Sequence, residues 1–73
     1  MNEGKYGVAY LDKDGEGFSD KEPFIVDFEF LHNCKECVET LVNDGYLKVI
    51  PFKYGKHMDY YNWDYVDKHR LVL

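Results

Sequence analysis

The stretch Leu31-His32-Asn33-Cys34-Lys35-Glu36-Cys37-Val38-Glu39-Thr40-Leu41-Val42-Asn43-Asp44-Gly45 reads as one helix and its stop signal. Leu31, Cys34, Val38, Leu41 and Val42 recur at helical spacing, which gives a single apolar stripe. Gly45 stands where a left-handed C-terminal cap belongs. The start has two readings. Either Asp27 caps the helix early, or Asn33 caps it late, with Glu36 three residues on to complete a capping box. The choice matters for Cys34 and Cys37, which would lie mid-helix in the first case and in the first turn in the second.

The flanks alternate with a period of two instead. Lys5 to Leu11 sets Tyr6, Val8 and Tyr10 on one side and Gly7 and Ala9 on the other. Asp12-Lys13-Asp14-Gly15-Glu16-Gly17 is turn chemistry, and a second strand runs from Pro23 to about Phe28. After Gly45, Tyr46 to Phe52 is β-rich, with Pro51 pointing to an edge or to the end of pairing. A Gly-containing loop then leads into Met58 to Val66, where Tyr61, Trp63 and Tyr65 alternate with Tyr60, Asn62, Asp64 and Val66. The pattern predicts one α+β domain over residues 1–73, in β-β-α-β-β order. Two hairpins form an antiparallel sheet packed on the helix.

Seventy-three residues leave room for one thin core, since a chain this short hides only about 60% of its unfolded surface. Seven Tyr, five Phe and one Trp compensate, at roughly 150–250 Å² buried per ring. That many rings cannot all be interior, so some are expected at the surface as contact residues. The charge is divided along the chain. Residues 1–45 carry eleven acids against four lysines, whereas residues 46–73 carry three acids against four lysines and Arg70. A net charge of −5 is the wrong sign for a nucleic-acid binder and fits a basic protein partner.

No run approaches the roughly 20 apolar residues of a membrane helix. The start Met1-Asn2-Glu3-Gly4-Lys5 lacks the basic and apolar parts of a signal peptide. Two cysteines suit a reducing compartment. The expectation is a cytoplasmic protein, and the Lys-, Asn- and Tyr-rich composition without Gln resembles coding in an AT-rich bacterium or its phage.

Four motifs carry chemistry. Asp12-x-Asp14-x-Glu16-Gly17-Phe18, ending at Glu22, resembles an EF-hand calcium loop. By that resemblance Asp12, Asp14, Glu16 and Glu22 are ligands, but the loop is one residue short and strands flank it. Cys34-x-x-Cys37 between two β-rich runs resembles the start of a thioredoxin or glutaredoxin fold, without the family's cis-proline or the aromatic, Gly and Pro residues of its active-site motif. Cys34, Cys37 and His57, with His69 as a fourth, would make a zinc site, although finger-type sites need a more compact second pair. The run from Glu39 through the Gly55 loop to Tyr61 resembles a winged helix, with Lys53, Lys56 and His57 at the wing tip. That fold needs two more helices upstream, and Glu36, Glu39 and Asp44 would repel DNA.

Catalysis finds little support. Ser19 is the sole serine and sits in a loop, and no Gly-rich phosphate cradle appears, so neither an enzyme nor a cofactor is expected. The reading that remains is a small acidic protein-binding module. It suits a phage- or mobile-element-encoded inhibitor of the anti-CRISPR or nuclease-inhibiting type, docked on the basic surface of a nucleic-acid-binding protein. Asp12, Asp14, Glu16, Tyr60 and Asp64 are the expected contacts. The metal- or redox-dependent module is the alternative. Pairing of a second copy at an exposed strand edge also stays open.

Overall fold

A computed structural model of the chain describes residues 4–13, 22–56 and 61–72. The elements are β1 (Tyr6–Leu11), β2 (Phe24–Phe28), α1 (Leu31–Asp44), β3 (Leu47–Lys53) and α2 (Trp63–Lys68). The domain is α+β, with a three-stranded antiparallel sheet in the order β2-β1-β3. The first strand is therefore the central one.

Alternation along β1 decides which side each helix covers. Tyr10 packs at a tilt against its cross-strand neighbour Phe24 and meets the edge of Tyr46, just past α1. Val8, on the same side of the strand, is fully buried, as is Cys34 on α1. Gly7 and Ala9 face the other way, into a cluster of Ala9, Ile50, Phe52, Tyr54, Tyr65 and Val66. The sheet is thus sandwiched, with α1 against one side and α2 against the other.

Pro51 lies within β3, opposite Val8, at the sheet's edge. Its carbonyl accepts from the Leu71 N–H on the outer side, so its missing N–H falls where β1 asks for none. Lys53 N–H donates to His69 O, and Phe52 bridges to Arg70, so the C-terminal segment covers this edge. β3 also carries a bulge. Three residues of β1, Ala9 to Leu11, oppose four of β3, Ile50 to Leu47. Lys48 takes up the extra length in a left-handed conformation (φ 49°), and its ammonium lies 4.1 Å from the centre of the Trp63 ring.

The helix start and the last element differ from the sequence reading. Neither Asp27 nor Asn33 caps α1. Phe30 occupies the N-cap without a side-chain hydrogen bond, while Gly45 closes the other end as expected, at φ 92°. The predicted strand over Met58 to Val66 is a short helix where it is described. Tyr61, Tyr65 and His69 are spaced four apart and touch in sequence: Tyr61 meets Tyr65 edge-on at 4.8 Å between centroids, and Tyr65 stacks on His69 at 4.1 Å. Tyr61, just before the N-cap, and Tyr65 thus meet through a helical spacing of four and not through strand alternation with Trp63. Asn62 Oδ1 accepts from the Tyr65 N–H as N-cap, Asp64 stands in the first turn and Lys68 in the last, which is a complete set of helix signals.

Candidate functional site

Cys34 and Cys37 face the sheet from α1. Because the helix begins at Leu31, Cys34 sits a full turn in, away from the helix N-terminus that would stabilise a thiolate. Its Sγ contacts the Gly7 carbonyl oxygen at 3.7 Å. Burial, then the neighbouring Cys37, pushes the Cys34 thiol up; burial alone does the same for Cys37. Tyr10 beside them is raised too, by burial first and by Tyr46, Cys37 and Asp12 after it. This is the environment of two structural thiols, the opposite of an activated redox pair.

The direction of these shifts fixes a pH dependence. A group whose folded pKa is raised stabilises the fold while it is protonated and opposes it once the chain must ionise. The thiols' contribution to stability is therefore constant below the ordinary thiol value of 9.0 and falls as pH rises beyond it. In thiol titration at neutral pH, both cysteines should react more slowly than a free thiol, and Cys37 before the fully buried Cys34. Reaction at the free-thiol rate at pH 7 would refute the assignment.

Of the remaining metal candidates, Asp14, Glu16 and His57 lie outside the described residues, as does Tyr60 among the contact candidates. Among the described residues, no group of three or more His, Cys, Asp and Glu side chains could hold a metal ion.

The two described contact candidates are not brought together. Asp12 raises the Tyr10 hydroxyl from the α1 side of the sheet, and its carboxylate accepts from the Lys13 N–H at 2.7 Å. Asp64 lies on the other side, in α2. The acids that do share a surface with the Asp12 side belong to α1. Glu36, Glu39 and Asp44 are exposed, and among the described residues none is ion-paired; the described ion pair is Lys5–Glu29 at 3.7 Å. Asp44 stands in the last turn, the end at which the helix dipole disfavours a negative charge, and no acid occupies the first turn. The acidity of α1 therefore does not serve the helix.

Exposed apolar side chains flank this acidic strip. Phe30 is 59% exposed at its N-terminal end, stacked on His32, and Val42 is 56% exposed near its C-terminal end. Sequence reading placed the contact acids in the first hairpin and, with Asp64, in the last predicted strand, and took Glu36, Glu39 and Asp44 only as acids that would repel DNA. The signal was present in the spacing of Glu36 and Glu39, both opposite the apolar stripe.

A second feature lies across the sheet. Lys56, Asn62, Asp64, Tyr65, Lys68 and His69 line a cleft of about 360 Å³. Its floor is fixed. Tyr65 OH accepts from the Gly55 N–H at 2.8 Å and donates to the Lys56 carbonyl at 3.2 Å, while its ring stacks on His69 at 23°. His69 Nδ1 lies 2.9 Å from the Tyr65 carbonyl oxygen, which can only accept, so Nδ1 carries the hydrogen. The ring edge lies so close to Gly55 that a Cβ there would meet Nε2 at 2.6 Å.

No helix among the described residues is long and apolar enough to cross a membrane. Comparison with known proteins returns no match to any family model, curated protein or solved structure.

Proposed function

We propose that the chain is a protein-binding module that docks through the outer face of α1 on a basic surface of its partner. The observation that carries this reading is the acidic strip Glu36, Glu39 and Asp44, without an ion pair among the described residues, with Phe30 and Val42 at its ends. Carboxylates without neutralising partners steer a basic protein into contact, and apolar side chains at the ends slow its departure. Asp12 lies on the same side of the sheet and extends the surface. A nucleic-acid-binding protein is the class whose phosphate groove matches that charge, which makes the chain an inhibitor by occupation of the groove, of the phage-encoded anti-CRISPR or nuclease-inhibiting type. Charge and composition support this finer reading.

The test compares the wild type with Glu36→Lys/Glu39→Lys. Both positions are exposed, so the variant keeps the fold. The immobilised wild type should retain a basic partner at low salt and block its nucleic-acid binding. The double reversal should slow association at least about tenfold, with most of the difference lost at high salt. Equal binding by both forms, or retention insensitive to salt, would overturn the docking face.

A further inference from the structure

The cleft beside α2 has a charge opposite to that of the chain as a whole. Fourteen acids outnumber nine bases in the sequence, yet among the described residues Lys56 and Lys68 line this cavity against one carboxylate, that of Asp64. Among the described residues neither lysine is ion-paired. Asn62 commits its Oδ1 to the Tyr65 N–H, which leaves its NH₂ as a donor with no protein partner among the described residues. Lys56, Lys68 and Asn62 thus line the cavity with donor capacity that no described residue takes up. Solvated surface lysines normally sit over convex ground. Here they border a concavity of about 360 Å³, within the range of small-ligand pockets.

The cavity is also preorganised. The Tyr65 hydroxyl is held by hydrogen bonds at Gly55 and Lys56, and His69 by its ring nitrogen and by its backbone bond to Lys53. The stacked Tyr65–His69 pair is therefore a rigid floor. The floor needs no ordering by a ligand, so the ordering cost of binding falls on the exposed Lys56 and Lys68 side chains.

We infer that this cleft binds a phosphorylated, hydroxyl-bearing small molecule of mononucleotide size. Lys56 and Lys68 flank the phosphate, the Asn62 NH₂ donates to it or to an adjoining oxygen, and Asp64 accepts from a hydroxyl. A dianionic phosphate matches two ammonium groups, and a carboxylate among them would repel the ligand unless part of that ligand donates hydrogen bonds. The site is independent of the acidic face of α1, on the other side of the sheet.

Titration of the isotope-labelled full chain, followed by amide shifts, tests this with four probes: inorganic phosphate, a ribonucleoside monophosphate, the corresponding nucleoside and a short single-stranded oligonucleotide. The monophosphate should give saturable shifts centred on Asn62 to His69 and bind about tenfold tighter than the nucleoside. Lys56→Gln and Lys68→Gln should each weaken it about tenfold, while Lys35→Gln on α1 leaves it unchanged. Absence of saturable shifts at millimolar monophosphate would overturn the site, as would equal loss in Lys35→Gln. Phosphate alone binding as tightly as the monophosphate would overturn the ligand's size. Preferential, strongly salt-dependent binding of the oligonucleotide would replace the small-molecule site with a nucleic-acid surface.

Discussion

Phe52→Ala is expected to remove most of the stability of this domain and to abolish a sharp thermal transition. Phe52 is the largest fully buried side chain, at 0% exposure. Its ring meets the edge of Tyr54 at 4.8 Å and of Tyr65 at 6.3 Å between centroids, and lies across Gly7 of the central strand. It therefore joins β3, β1 and α2. Truncating a buried Phe costs about 3–5 kcal/mol. A domain of this length has roughly 4–11 kcal/mol in total, at the usual stability per residue. Denaturant unfolding followed by circular dichroism measures the loss. Val72→Ala, in the same covering segment but 97% exposed, should change stability by less than about 0.5 kcal/mol. A Phe52→Ala protein with a transition midpoint close to wild type would show that the core is not organised around this ring.

Gly7→Ala should produce the second largest loss, for the opposite reason. A Cβ at residue 7 would stand 2.7 Å from Phe52 Cζ and 2.8 Å from Cε1, inside contact distance. The ring cannot retreat, because Tyr54 and Tyr65 enclose it. Overpacking of this kind costs about 1–3 kcal/mol. The cause can be separated from a general intolerance of the strand by adding Phe52→Leu. The smaller side chain leaves room for the methyl group, so the double variant should be more stable than the sum of the two single changes implies, with a coupling of about 0.5–3 kcal/mol. Strict additivity would mean that the glycine serves the backbone and not the ring.

Legibility in the sequence followed the scale of the interaction. β1 was readable because one residue type alternates with another, and the small side of that alternation, Gly7 and Ala9, is now explained by the aromatic rings laid across it. α1 was readable through its apolar stripe and Gly45. The N-terminal end was misread because capping rules describe a helix in water. Here Phe30 and Leu31 begin the helix without a side-chain cap, and the packing of Cys34 against β1 holds the first turn. The short helix α2 was lost to an ambiguity of period: Tyr61 and Tyr65 fit both a strand and a helix, and the deciding residues were the polar ones, Asn62, Asp64 and Lys68. The acidic face of α1 was within reach of the sequence, since Glu36 and Glu39 oppose the apolar stripe. The basic cleft was not, because it depends on α2 folding back beside Lys56.

The placement of β1 between two later partners has a kinetic consequence. β2 can pair with β1 as soon as residue 28 has emerged, but β3 arrives only after α1 has been made. Until then Gly7 and Ala9 have no rings across them, and one ladder of β1 remains open. The nascent chain thus holds a hairpin with a bare flank, and closure by β3 brings the central pairing, Phe52 and the α2 cover into place together. Such late, non-local closure is expected to slow folding relative to a helical bundle of the same length. A chain released before residue 53 would keep its helix and hairpin sequences but lack the step that makes them one cooperative unit.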